Sequence, residues 1–151
     1  MATVNVYLTF DGNCKEAFDF YKSVFGGDFQ SVNTFGEMPP QEGRPPLPEE
    51  MKKRLMHISL PISKETSIMG SDIMPGMGPD LNVGNNFSLS VHPSSKGEAD
   101  KIFQALAQGG QVNMPMEETF WNAYFGMLTD KFGINWMVNY ELQKETVTSN
   151  N

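Results

Sequence analysis

Apolar and polar residues alternate along residues 4–10, as they do in a strand that buries one face. The apolar positions of this strand are Val4, Val6, Leu8 and Phe10. Directly afterwards the apolar positions follow the period of a helix, which Asn13 can cap with Glu16 as the partner of a capping box. Gly26-Gly27 ends this pattern. The chain therefore opens with a strand followed by an amphipathic helix.

Three more strands are predicted before residue 74. Residues 29–35, 54–62 and 66–73 carry strand patterns, and the turn at 63–65 is short enough for a hairpin. Between the first two of these strands, residues 36–53 hold five of the ten prolines, so this segment fits neither a sheet ladder nor a helix interior. A loop of this length is either a surface loop or a lid over a site.

The opening pattern returns in the second half of the chain. Residues 86–92 repeat the first strand, residues 93–95 supply a cap, and a helix runs to Gly109-Gly110. A shift of 82 positions places the apolar positions of the first helix on those of the second, and a shift of 83 aligns the two glycine pairs. Strands are then predicted at 111–116, 124–129 and 134–142, so each half consists of a strand, a helix and three strands.

This order predicts one α+β domain built from two βαβββ modules. The first module covers about residues 4–74, a linker about 75–85, the second module about 86–142, and a polar tail 143–151. Each helix is expected to cover one face of a curled mixed sheet, and the other faces are expected to border a cleft. The residues expected beneath the helices are Val6, Leu8, Ile58, Leu89 and Val138.

The composition and charge of the chain argue against several classes of function and site. The chain has 18 acidic and 11 basic residues, a net charge of −7, and no basic stripe beyond residues 52–54, which argues against binding to nucleic acid or to an anionic membrane. Cys14 is the only cysteine, so neither an intrachain disulfide nor a multi-cysteine zinc site is expected. No signal peptide or transmembrane pattern is present in this sequence, and we expect a cytoplasmic protein.

Two longer motifs resemble a known family. The opening YLTFDGNCKEAFDFYKSVFGG and the closing MPMEETFWNAYFGMLTDKFGINWMVNYE are similar to the PhnB-like branch of the glyoxalase / bleomycin-resistance / extradiol-dioxygenase group, the vicinal oxygen chelate superfamily. This resemblance implies paired βαβββ modules, a cavity within the curled sheets and a homodimer. The branch also bears the name of a ubiquinone-pathway methyltransferase, but nothing in the chain resembles the Gly-rich loop that a nucleotide-like methyl donor requires.

The resemblance also implies four positions for metal ligands. They fall on Asn5, on Met69 or the adjacent Gly70, on Asn86 and on Met137. Two amides and two thioethers form a poor site for Zn, Ni, Mn or Fe(II), which prefer imidazole or hard oxygen ligands. We therefore expect neither a catalytic metal nor another cofactor.

His57 and Glu118 are the candidate catalytic residues. Alternation places His57 on the cavity side of its strand, where it can act as a general base or serve as a structural histidine with a hydrogen-bonded neighbour. Glu118 belongs to the closing motif and is a candidate pocket acid, whereas Glu141 is expected near the mouth of the cleft in solvent. The aromatic residues of the closing motif can stack on a ligand or fill core. The expected pocket-lining residues are Asn5, Tyr7, Met69, Asn86, Ser88, Phe120, Trp121, Tyr124, Asn135, Met137 and Asn139.

Three functions fit these patterns. The leading hypothesis is a protein that binds a small, partly apolar molecule in the cleft without a catalytic metal. A competing hypothesis is a metal-dependent lyase or dioxygenase that uses a shifted ligand set, such as His57 with Glu118 or Glu141. The third is a protein-interaction module, since this fold strictly requires only edges that pair.

Overall fold

The computed structural model describes residues 2–40 and 42–142. The chain forms two compact units, Met1–Asn82 and Val83–Asn151. The predicted tail, residues 143–151, lies outside the described residues. Within the described ranges, no helix has both the length and the apolar composition needed to cross a bilayer.

The first unit contains one sheet, which we call sheet A. Its elements are β1 (Val6–Phe10), α1 (Cys14–Phe25), β2 (Ser31–Thr34), a 3₁₀ turn (Phe35–Glu37), a short helix α2 (Glu49–Lys52), β3 (Leu55–Pro61) and β4 (Ser67–Asp72). The strand order is β1-β4-β3-β2, with β1 parallel to β4 and the remaining pairs antiparallel.

The second unit repeats this arrangement in sheet B. Its elements are β5 (Leu89–Val91), α3 (Lys96–Ala107), β6 (Gln111–Glu118), β7 (Ala123–Thr129) and β8 (Asn135–Glu141). The order β5-β8-β7-β6 matches that of sheet A, again with a single parallel pair, β5 with β8. Both long helices have 12 residues and begin 82 positions apart, at Cys14 and Lys96. The predicted βαβββ repeat and the α+β class are confirmed.

One glycine beneath each helix lets an aromatic ring reach the sheet. A Cβ atom added at Gly70 would lie 2.8 Å from Cε1 of Phe18 in α1 and 2.7 Å from the backbone oxygen of Leu8. In sheet B, a Cβ atom added at Gly126 would lie 2.8 Å from Cε2 of Phe103 in α3. Each helix therefore packs directly on backbone at one point of its sheet.

The predicted core is confirmed except at Val6. Leu8, Ile58, Leu89 and Val138 are buried, whereas Val6 is 37% exposed. Val6 is the first residue of an edge strand, and α1 packs chiefly on β3 and β4. The helix therefore leaves the start of β1 uncovered.

The predicted capping box of α1 is wrong. The Asn13 side chain makes no capping hydrogen bond. Instead, Oδ1 of Asp72, at the end of β4, accepts the backbone N–H groups of Gly12 at 2.8 Å and Cys14 at 3.0 Å, while Oδ2 accepts that of Leu55 at 2.9 Å. A buried carboxylate on the neighbouring strand thus accepts the first backbone N–H of the helix and that of the turn before it.

The cap of the second helix lies within the predicted segment. Oγ of Ser95 accepts the backbone N–H of Glu98 at 3.1 Å, which is the usual contact between an N-cap residue and the third residue of the helix.

Candidate functional site

The helix of each unit covers one face of its sheet, and we call the other face the distal face. In sheet A, Met69 pairs with both Tyr7 and Ser59, and Ser59 pairs with Ser31. Paired residues project to the same side, opposite to Gly70 and its contact with α1. His57 lies two residues before Ser59 and therefore shares this face.

His57 lies among hydroxyl groups on the distal face of sheet A. Its Nδ1 atom is 3.2 Å from Oγ of Ser31, and its ring centroid is 6.1 Å from that of Tyr7. Tyr7 is 48% exposed, whereas His57 and Ser31 are half-buried. The Ser31 contact engages one ring nitrogen, and Nε2 is the other position at which the imidazole can exchange a proton.

Ser31 is a site residue that the sequence analysis missed. It falls within the strand predicted at 29–35, but strand alternation alone does not reveal which β2 residue lies beside His57. The register shift between Asn33 and Thr34 also interrupts the alternation that would have to be counted.

The distal face of sheet B combines amides, thioethers and an aromatic ring. Met137 pairs with Met127, and Asn139 pairs with Phe125. Asn135, also on this face, has its Oδ1 atom occupied, because Oγ1 of Thr129 donates to it at 2.8 Å. The predicted residues Asn135, Met137 and Asn139 therefore share one face.

Asn139 carries an unsatisfied acceptor. Its Oδ1 atom is buried and has no hydrogen-bond partner in residues 2–40 and 42–142. An unpaired buried polar group costs about 1–3 kcal/mol, so its retention requires an explanation. The aromatic ring of Phe125 lies opposite in the register, and Trp121 is 6.1 Å from Phe125 between ring centroids. A hydrogen-bond acceptor beside aromatic and thioether groups is a typical component of a small-molecule site.

Glu118 and Tyr124 lie on the other side of sheet B, toward α3. Tyr124 donates its hydroxyl to Oδ1 of Asp100 in α3 at 2.6 Å, and Lys96 in α3 pairs with Oε1 of Glu118 at 2.8 Å. The hydrogen bond to Asp100 raises the pKa of Tyr124, as do burial and the nearby carboxylates. The reason for this placement is that β6 extends to Glu118, which pairs with Tyr124 on the helix side of the ladder.

The remaining predicted pocket residues lie outside the strands. Asn5 precedes β1, and Asn86 and Ser88 precede β5, which begins only at Leu89; all three residues are exposed. Phe120 and Trp121 belong to the turn between β6 and β7, where their ring centroids are 4.9 Å apart. Phe120 is 97% exposed, so it does not fill the core of its unit.

The residues at the implied metal positions do not fit a divalent metal. Met69 and Met137 occupy corresponding places on the distal faces of β4 and β8, whereas Asn5 and Asn86 precede their strands. Thioethers and amides are poor ligands for Zn, Ni, Mn and Fe(II), which prefer imidazole or hard oxygen ligands. In the part of the chain that the structure describes, no three His, Cys, Asp or Glu side chains are grouped to hold a metal ion.

Comparison with known proteins identifies relatives along nearly the whole chain. The family described as 3-demethylubiquinone-9 3-methyltransferase matches residues 2–139. Protein YjdN of Escherichia coli (strain K12) is 34% identical over 145 residues, which are 93% of this chain and 96% of that protein. The crystal structure of protein PA1353 from Pseudomonas aeruginosa is 38% identical with a TM-score of 0.81, covering 95% of this chain and 100% of the other.

More distant structures share the fold alone. A putative 3-demethylubiquinone-9 3-methyltransferase, PhnB protein, from Bacillus cereus is 24% identical with a TM-score of 0.71, covering 92% of this chain and 99% of that one. A glyoxylase/bleomycin resistance protein/dioxygenase domain from Frankia sp. EAN1pec is 15% identical with a TM-score of 0.64, covering 100% and 98% of the two chains. The resemblance predicted from the two sequence motifs is confirmed.

Proposed function

Because this chain belongs to the PhnB-like family of the glyoxalase/bleomycin resistance/dioxygenase superfamily, we propose that it binds a small, partly apolar molecule on the distal face of sheet B. The observation that carries the proposal is the buried, unpartnered Oδ1 atom of Asn139. A ligand that donates an N–H or O–H group to this oxygen would recover the lost hydrogen bond.

The surroundings of Asn139 favour an aromatic or otherwise apolar ligand body. Phe125 and Met137 are half-buried on the same face, and both can contact an apolar group. On sheet A, His57 and Ser31 offer a separate set of polar contacts. On the distal face of sheet A, His57 is the residue proposed to transfer a proton, whereas Glu118 has no part in the proposal because it lies on the α3 side of sheet B.

The proposal includes no catalytic metal, and it does not include methyl transfer. The amides and thioethers at the four implied ligand positions support the first part. For the second part, Asp72 already accepts the backbone N–H groups of Gly12 and Cys14 at the start of α1, so these two groups are not free to hold an anionic group of a nucleotide-like cofactor.

We also propose that the protein is a cytoplasmic homodimer. Phe120 is 97% exposed and lies beside Trp121, which is half-exposed. These two rings support a surface on the second unit that contacts another copy of the chain. Light scattering coupled to gel filtration tests this: we expect a mass near twice the chain mass of 16.9 kDa, and a monomer at all concentrations would contradict it.

A matched pair of probes tests the binding proposal. 2-Naphthol presents an O–H donor on an apolar body, whereas 2-methoxynaphthalene has nearly the same shape without a donor. After elemental analysis of protein purified without added metal, we expect 2-naphthol to raise the melting temperature and the ether to have a weaker effect, since binding to the native state stabilises it. S-adenosylmethionine is tested in the same way and is expected to leave the melting temperature unchanged.

Three results would overturn this proposal. The first is a stoichiometric Ni, Zn, Mn or Fe ion whose removal by a chelator abolishes naphthol binding. The second is a naphthol effect no larger than that of the ether. The third is a melting temperature that responds to S-adenosylmethionine instead.

A further inference from the structure

A second candidate site lies within the first unit, outside the distal face. The proline-rich segment after β2 and the turn that contains Met77 line an open pocket of about 580 Å³. Its apolar walls include Phe35, Met38, Leu47, Met77 and four proline residues, and its cationic groups are Arg44 and Lys52. This volume is in the range of pockets that hold a small organic molecule.

The two ends of the proline-rich segment are fastened together. The backbone N–H of Phe35 donates to the backbone oxygen of Arg54 at 3.0 Å, which joins the start of the segment to the residue before β3. Gly36 lies against Lys52 so closely that an added Cβ would be 3.1 Å from the backbone oxygen of that residue. Backbone contacts therefore hold the two ends of the proline-rich segment together. The prolines limit the conformations of the residues between these ends.

The charge of the pocket contrasts with that of the chain. The protein has a net charge of −7, but among the described residues that line the pocket there are two cations and no acidic side chain. Lys52 is paired with Glu49 at 3.1 Å, although Glu49 is 85% exposed, and exposed pairs of this kind are weak. Arg44 can present a planar fork to a carboxylate.

We propose that this pocket binds an amphipathic monoanion, namely a flat apolar molecule with a carboxylate group. The apolar body contacts Phe35, Leu47 and Met77, and the carboxylate pairs with Arg44. Met77 is 60% exposed in the free protein, so a bound apolar ring would cover it. This site is distinct from the one in the proposed function, because neither His57 nor Met69 lines it.

Methionine methyl groups distinguish the two sites in one spectrum. In protein labelled with ¹³C at the methionine methyl groups, Met38 and Met77 report on the proline-rich pocket, whereas Met69 and Met137 report on the distal faces. Single substitutions assign the signals. The probe is 2-naphthoate, with 2-naphthamide as its uncharged counterpart.

We expect 2-naphthoate to shift the Met38 and Met77 signals and 2-naphthamide to bind about tenfold more weakly, because the amide cannot form the charge-assisted contact with Arg44. Arg44→Gln should weaken naphthoate binding to the level of the amide. Lys64→Gln removes a positive charge at the β3–β4 turn of the same unit and serves as the matched control, with binding unchanged.

Naphthoate that shifts Met69 or Met137 while leaving Met38 and Met77 in place would overturn the proposal. So would equal binding of naphthoate and naphthamide, or an Arg44→Gln variant that binds as well as the wild type. A Met137 shift would place the naphthoate at the site of the proposed function, and the other two outcomes do not bear on Asn139, so the proposed function and this second site can fail independently.

Discussion

The carboxylate of Asp72 crosses the start of α1, where its Oδ1 atom accepts the backbone N–H of Cys14 at 3.0 Å. The same side chain accepts two further backbone N–H groups and is only 4% exposed. It thereby joins three segments of the first unit: the end of β4, the start of α1 and the start of β3.

Asp72→Asn should destabilise the protein substantially. The asparagine side chain has one acceptor oxygen for the three backbone N–H groups, so at least one of them loses its partner. The negative charge at the helix N-terminus is also lost. We expect the free energy of unfolding to fall by about 2–4 kcal/mol in urea denaturation. Asp19→Asn is the control, because it makes the same chemical change in an exposed ion pair with Lys15 and should cost less than about 0.5 kcal/mol. Equal effects of the two substitutions would contradict this role of Asp72.

Cys14 should make the protein less stable in alkali. Burial raises the pKa of its thiol above the ordinary value of 9.0, and the charge of Asp72 adds to this. The unfolded chain releases the thiol proton near that ordinary value while the native protein keeps it, so the contribution of this group is intact at lower pH and is lost as pH rises. Between about pH 8 and pH 10 the free energy of unfolding should fall more steeply in the wild type than in Cys14→Ala, approaching an extra 1.4 kcal/mol per pH unit. Parallel curves for the two proteins would show that the thiol titrates normally.

The two glycines beneath the helices should not tolerate a methyl group. Gly70→Ala places Cβ against a backbone oxygen that cannot move aside, and Gly126→Ala places it against Phe103. We expect each to lower the free energy of unfolding by about 1–3 kcal/mol. Gly97→Ala is the matched control, because this helical glycine has only Oγ of Ser95 nearby, at 4.0 Å, and alanine favours a helix. It should leave stability unchanged or raise it slightly, and a loss comparable with that of Gly70→Ala would contradict the packing account.

The sequence pattern was sufficient to predict the elements that neighbouring residues determine. The apolar period and the flanking glycines predicted α1 and α3, and the shift between them predicted the repeat, because both are properties of neighbouring residues. The cap of α1 was missed because Asp72 is 58 positions from Cys14 in the sequence. A contact at that distance depends on sheet order, which local patterns do not encode.

The candidate site was predicted only in part for similar reasons. The pairing register puts His57, Met69, Met137 and Asn139 on the distal faces, as simple alternation in their strands also does, and that they line a pocket stays a prediction. Tyr124 was misplaced because β6 continues to Glu118, so that the predicted crossing segment is part of the ladder. The proline-rich pocket could not be predicted, since its walls join residues 35–52 with Met77 by tertiary contacts.

The most direct test of the account is the affinity of 2-naphthol for the Asn139→Leu variant, measured by calorimetry. Leucine matches the shape of asparagine and removes the unpartnered acceptor, so the free protein should be as stable as the wild type or more stable. Asn135→Leu, which removes an acceptor already bonded to Thr129, should instead lower stability by about 1 kcal/mol. We predict that Asn139→Leu binds 2-naphthol about tenfold more weakly, no better than 2-methoxynaphthalene, whereas unchanged naphthol affinity would contradict the central claim.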